Sequence, residues 1–260
     1  MDDVAYQAHI SGRLVTGGTT LIIHAIVGNR VYTANVGDCK AILSSKGAPE
    51  PLSEAHNPPV ESEKSRFSAA GVSCFSDHIG GSDINVCRTV GDYDLGPPLK
   101  WRDSSGAPRG PLISDPEITI RQIDPIDEFM VVASDGLWDY YTPESSVVTE
   151  ARRRLRAVEN DPQAAAEWLV TEALQRQRCT LHSGTPGDNV TVMVIQLRRL
   201  PEIPRMSASR LNLRRAPSVE NGGDGSGGGG RSRQHKTHTN GGGSSGGGSR
   251  EGLFASGSVV

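Results

Sequence analysis

The sequence predicts an α+β domain, with strands and helices gathered into separate stretches of chain, on three observations. Strand-like runs rich in β-branched residues come in clusters with tight turns between them. Two capped helical segments follow one another with no strand between, and a last run, "NVTVMVIQL", returns the chain to a sheet. The folded part is expected to be residues 1–200. About half of the 31 glycines lie beyond Asn221, in tracts such as "NGGDGSGGGG" and "NGGGSSGGGSREG". Residues 201–260 therefore read as a disordered Gly/Ser/Arg-rich tail, unable to bury enough apolar surface to offset its ordering entropy.

Along the chain, "TTLIIHAIVGNRVYTANVGDCKAILSS" predicts three strands, broken at the hairpin pair Gly28-Asn29 and again at Gly37-Asp38. "PVESEKSRFSAAGVS" predicts a short helix stopped by Gly71, with Glu61, Glu63 and Lys64 outward and Phe67 and Ala70 inward. Phe75 to Gly110, rich in Gly, Ser, Asp and Pro, predicts irregular structure with a short element at "INVCRTVGD". "EITIRQI" alternates like a half-buried strand, whereas "EFMVVAS" is apolar on both faces like a central one. Thr142-Pro143 predicts a capped helix start, and Asp161-Pro162 predicts another for a helix running through Ala173.

Composition excludes several classes. The net charge is -3, and because the segment beyond Arg205 is basic, the folded part is distinctly acidic, which suits cations better than nucleic acid. The basic tail lacks interleaved aromatic residues for base stacking, so a nucleic-acid partner is not expected. Cys39, Cys74, Cys87 and Cys179 show no Cys-x-x-Cys pairing, and reduced thiols in an intracellular protein, cytoplasmic or nuclear, are the expectation. The start "MDDVAYQAHISG" lacks the regions of a signal peptide, and no apolar run is long enough to span a membrane.

Four aspartates share one setting. Asp38 in "ANVGDCKA", Asp135 and Asp139 in "VASDGLWD", and Asp188 in "TPGDNVTV" each stand at an end of an apolar strand. Side chains at strand ends can converge on one rim of a sheet, where carboxylates repel unless protons or cations intervene. Mg²⁺ or Mn²⁺ takes such oxygen ligands and retains several waters. Asp-Gly and Gly-Asp pairs are also ordinary turn signals, a reading that stays open for Asp38, Asp139 and Asp188. Asp135 resists it best, because a charge beside "FMVVA" needs a partner. His24 reads as a core or edge residue and His56 as a loop hydrogen-bonder.

In order, "GGTT", "ANVGDCKAIL", "HNPPVESEKSRFSAAG", "CRTVGDYDL", "DPEI", "DEFMVVASDGLWD" and "GDNVTVMVI" resemble the type 2C metal-dependent serine/threonine protein phosphatases, from about Gly17 to Leu197. The resemblance implies two antiparallel sheets packed face to face with helices outside, a phosphoprotein substrate, and a cluster of Mg²⁺ or Mn²⁺ ions at one rim. It implies that Asp135 and Asp188 hold the first catalytic metal, with Asp135 also near a third site completed by Asp38 and Asp139. Thr19 would lie close to that site. Arg88 and Asp92 match motif positions and are expected to hold a variable flap, roughly Phe75 to Gly110.

The family's first hundred or so residues carry a phosphate-gripping arginine, an acidic ligand and an Asp-Gly-His-Gly-Gly stretch that this sequence does not contain. No residue of the present chain is thus expected to supply the catalytic arginine or histidine, and the chain alone is expected to be weakly active or inactive. The acidic set favours an incomplete working phosphatase over two other readings: a non-catalytic binding or regulatory module, and an RNA-binding or scaffolding tail. Ser218, three residues after Arg215 in "LNLRRAPSVE", is a candidate phosphorylation site.

Overall fold

The computed structural model describes residues 1–13, 16–75, 78–181, 187–198 and 200. The expected tail and Ser218 lie outside them. The elements in chain order are α1 (Asp2–Ile10), β1 (Gly18–Thr19), β2 (Leu21–Val27), β3 (Arg30–Val36), β4 (Lys40–Ser45), β5 (Ala48–Pro51), α2 (Glu61–Ala69) and β6 (Val90–Gly91). They continue as β7 (Trp101–Arg102), β8 (Pro108–Arg109), β9 (Glu117–Gln122), β10 (Asp127–Ala133), α3 (Asp135–Trp138), α4 (Ser145–Ala157), α5 (Pro162–Thr180) and β11 (Val192–Gln196).

All pairings within the sheets are antiparallel. One sheet has the order β11-β10-β4-β5, and a second has β2-β3-β9; β1-β6 and β7-β8 are small pairs. β10 is buried along its whole length, as an apolar run on both faces requires. Its Met130 and Val132 join Ala41, Leu43, Val31, Ile22 and Ile195 in a core between the two larger sheets. Its Phe129, Val131 and Ala133 face the other way, against Val147, Ala151, Leu155, Leu169 and Ala173 of α4 and α5. Each such large side chain contributes about 1.5–3 kcal/mol of apolar burial. A third core of Phe67, Val72, Ile79, Cys87, Leu99 and Leu112, with Cys74 packed against it, supports the expected flap region.

The β2-β3 hairpin turns on Gly28-Asn29, where Gly28 has a positive φ, so the expected turn is there. β9 does alternate, but its apolar side is the open one. Ile118 and Ile120 are 63% and 60% exposed, whereas Thr119 bonds the Leu52 carbonyl and Arg121 pairs with Glu50 and Asp127. Together with Ile23 on β2 they form an apolar outer face, registered as Ile23, Ala34 and Ile118 across the three strands.

Three local expectations are corrected. Glu63 is fully buried instead of outward, because Arg66 and Arg88 converge on it; Ala70 is exposed, since the helix ends before it. Thr142-Pro143 does not start a helix. α4 begins at Ser145 with no side-chain cap, and the Ser146 amide and hydroxyl close instead on the Pro143 carbonyl. α5 runs seven residues past Ala173, to Thr180, on a buried stripe that ends at Gln177. Its start is as expected: the Asp161 carboxylate accepts the Gln163 amide at 2.9 Å.

Candidate metal centre

The sheet register brings the acidic positions to one rim. Ala133, last in β10, pairs with Lys40, first in β4, and with Val192, first in β11. Asp38 stands two residues ahead of Lys40, Asp135 two beyond Ala133, and Asp188 four ahead of Val192. The turns between are specified by glycine. Gly37 has φ +106, and a Cβ there would come 2.3 Å from Thr20 Cγ2. At Gly136 a Cβ would come 2.3 Å from the Asn189 carbonyl oxygen, so only glycine lets α3 lie against the segment carrying Asp188.

Hydrogen bonds fix these turns from behind. The Ser134 amide donates to the Thr191 carbonyl at 3.1 Å, and the Thr191 amide donates to Ser134 Oγ at 3.2 Å. Trp138 Nε1 donates to the Ala133 carbonyl at 2.9 Å, and Gln177 Nε2 to the Gly136 carbonyl at 3.1 Å. On the other side, the Gly37 amide donates to His56 Nδ1 at 3.1 Å and Asn35 Nδ2 to the Gly37 carbonyl at 3.1 Å. His56 is thus a loop hydrogen-bonder as expected, and the loop it holds is the one that carries Asp38. Its Nε2 lies 3.3 Å from Glu117 Oε2.

The electrostatics mark one cluster. The Asp38 and Asp135 carboxyls lie close enough to act on each other. Burial raises both pKa values, and the other aspartates add to the rise: Asp139 and Asp188 act on Asp38, and Asp38, Asp188 and Asp139 act on Asp135. Asp135 is pushed up to about 7 even though the Gly136 amide donates to its Oδ1 at 2.8 Å. Partial desolvation also raises Asp139, against the charge of Lys40, which is itself paired with Glu144 at 2.6 Å. Asp188 is exposed and accepts the Asn189 amide at 2.8 Å.

Among the described residues, no group of three or more His, Cys, Asp or Glu side chains is set to hold a metal ion. The donors do fit a hard cation that binds through one or two carboxylates and keeps waters. They are oxygen-only, and they repel one another until a proton or cation intervenes. The Thr19 hydroxyl donates to the Thr20 carbonyl at 2.9 Å. Arg88 bonds Glu63 and the Asp115 carbonyl, the structural role expected of it. Asp92 has a left-handed backbone, φ 57, and its carboxylate sits where a Cβ on Gly18 would go. His24 shares a 3.0 Å hydrogen bond with Thr33 in the sheet.

The family model for protein phosphatase 2C matches residues 1–180. The chain belongs to the protein phosphatase 2C family. The match takes in Asp38, Asp135 and Asp139 and stops short of Asp188. "Probable protein phosphatase 2C 22" of Arabidopsis thaliana is 35% identical over 206 residues, covering 79% of this chain and 49% of the relative. "Probable protein phosphatase 2C 57" of Oryza sativa subsp. japonica is 33% identical, covering 79% and 52%. The chain therefore spans about half the length of these relatives.

Serine-threonine phosphatase 2C from Toxoplasma gondii superposes with TM-score 0.55 at 18% identity over 74% of this chain and 61% of that one. A C. elegans sex determining protein superposes with TM-score 0.56 at 21% identity, covering 74% and 43%. At these identities the likeness is one of fold. The type 2C resemblance and its sandwich of antiparallel sheets thus hold for this chain.

Proposed function

We propose that this chain carries part of the catalytic centre of a protein phosphatase that hydrolyses phosphoserine and phosphothreonine with Mg²⁺ or Mn²⁺. The observation that supports it best is that the sheet register gathers Asp38, Asp135, Asp139 and Asp188 at one strand rim, where their charges act on one another. Asp135 and Asp188 would hold the ion, with Asp38 and Asp139 on its flank. When bound, such an ion acidifies a coordinated water and screens phosphoryl charge. The chain's own part is to position these carboxylates: Gly136 sets α3 against the Asp188 segment, and His56 with Asn35 fixes the Asp38 loop.

With none of the Asp-Gly-His-Gly-Gly sequence among its 260 residues, the chain by itself is proposed to release phosphate slowly or not at all. Its setting is proposed to be reducing, in the cytoplasm or nucleus, in keeping with four unbridged cysteines. Calorimetric titration of Mn²⁺ into the 260-residue chain tests the metal assignment. Saturable binding is expected, weakened at least about tenfold, roughly 1.4 kcal/mol, in Asp135→Asn. Equal affinity in the variant, or none in the wild type, would remove the reading. Fast Mn²⁺-dependent release of phosphate from a phosphopeptide by the chain alone would overturn the proposed weakness.

A further inference from the structure

We propose that Cys74 and Cys87 form a reversible disulfide, an oxidation site for a peroxide at the base of the flap region. The two thiols come from separate segments of the chain. Cys74 follows α2 and bridges to Ile79, while Cys87 precedes Arg88, and its amide donates to the His56 carbonyl at 2.8 Å. Cys87 is fully buried in the core of Phe67, Val72, Ile79, Leu99 and Leu112, and Cys74 packs half-buried against that core. The two side chains pack in this one small core and are near enough to act on each other electrostatically, so oxidation can join them within the core.

Exposure divides the roles. Cys74 is the partly exposed residue of the two. Cys87 is enclosed, and burial together with the neighbouring Cys74 pushes its thiol far up, which keeps it protonated and unreactive until a partner sulfur is oxidised. In the first step the Cys74 sulfur attacks hydrogen peroxide, the O–O bond breaks, and Cys74 sulfenic acid and water form. The Cys87 sulfur then attacks the Cys74 sulfur, its proton leaves with the departing hydroxyl as a second water, and the disulfide closes. Sulfur has lost two electrons in total and peroxide has gained them. An external dithiol reverses the reaction by exchange. Cys179 is exposed on α5 and Cys39 lies beside Thr20; neither shares this contact.

The test uses the full, reduced chain treated with hydrogen peroxide, then denatured and alkylated with N-ethylmaleimide. Arg66 and Arg88 are the only tryptic sites bounding residues 67–88, so one peptide holds both cysteines. It is expected to be two hydrogens lighter than the dithiol, with maleimide labelling at both positions reduced about tenfold or more and restored by dithiothreitol. Cys39 and Cys179 should label fully. Cys74→Ser should leave Cys87 reduced under the same treatment. Cys87→Ala should stop the reaction at a Cys74 sulfenic acid that dimedone captures, in protein whose circular dichroism matches the wild type. The proposal is overturned if residues 67–88 emerge doubly labelled. Cys74 passing to sulfinic acid while Cys87 stays alkylatable, or a link running through Cys179, would overturn it as well.

Discussion

Glu63 and Arg88 meet as a buried ion pair. The glutamate, wholly inside the protein, takes Arg88 Nη2 at 2.6 Å on one oxygen while Arg66 holds the other. Burial alone would raise the Glu63 pKa, but the bonds and charges of the two arginines outweigh it and hold it down to about 2. Glu63→Gln leaves two guanidinium groups facing a neutral amide, and losing one partner of a buried pair costs about 3–5 kcal/mol. Urea unfolding at neutral pH is expected to show a lower midpoint with an unchanged slope. In the wild type this contribution is complete above the unfolded-state value near 4.5 and is lost as pH falls through that value toward 2. Glu63→Gln should therefore flatten the acid limb of stability, and an acid limb identical in both proteins counts against the pair.

His24 has the same acid sensitivity for a different reason. Burial depresses its pKa from 6.5 to about 4, so the folded state binds fewer protons than the unfolded one between those values. Its contribution is present above 6.5 and is lost as pH falls toward 4. Proton NMR should place the His24 titration near 4, and a midpoint at 6 or above would show that the ring is solvated.

Gly136→Ala tests the rim geometry. The added methyl would sit 2.3 Å from the Asn189 carbonyl oxygen, so α3 or the 187–190 segment must shift. A loss of about 1–3 kcal/mol is expected, with Mn²⁺ affinity falling in the same variant. A stable variant with unchanged affinity would show that the turn adapts without moving Asp135 from Asp188.

Asp2 ties α1 to the flap region. It accepts the Gly91 amide and Lys100 Nζ, both at 3.0 Å, and the Tyr93 hydroxyl. Lys100 is only 3% exposed, and its ammonium also donates to the Thr89 carbonyl at 2.7 Å and sits 5.1 Å from the centre of the Tyr93 ring. Asp2→Ala leaves that ammonium short of its counter-charge and is expected to cost about 1–3 kcal/mol. Replacing Lys100 with Met in the same protein should recover part of the loss. Additive losses in the double-mutant cycle would show that the two residues act apart.

Much of this fold is legible in periodicity. β10 reads as central because every residue from Phe129 to Ala133 is apolar, and "NVTVMVIQL" reads as a final strand, although its pairing with β10 is not written in its own pattern. Asp161-Pro162 marks a helix start because cap and proline act locally. The errors arise where distant residues decide. Glu63 looks like an outward helix charge until Arg88, 25 positions later, comes to meet it. β9 alternates in the expected period, yet the pattern alone does not say which face is inward, and Arg121 turns inward because Glu50 and Asp127 receive it. α1 carries little sequence signal because it buries no residue of its own; it is held by polar contacts of Asp2 and Asp3 and by the Tyr6 ring against Tyr93. The aspartates of the rim were legible from their strand-end positions. Their support by His56 and Gln177 was not, since each reaches the rim from another part of the chain.

The outer face of β2-β3-β9 has a consequence for how this polypeptide behaves in a tube. Ile23, Ile118 and Ile120 present to water a surface composed like a protein interior, on strands of high β-propensity. Such a surface has a saturation concentration: below it the chain stays dispersed, and above it copies lose water together faster than they repel through a charge of only -3. Light scattering against concentration should therefore rise abruptly, and Ile118→Lys should move that threshold upward while leaving the rim carboxylates, on the other sheet, untouched.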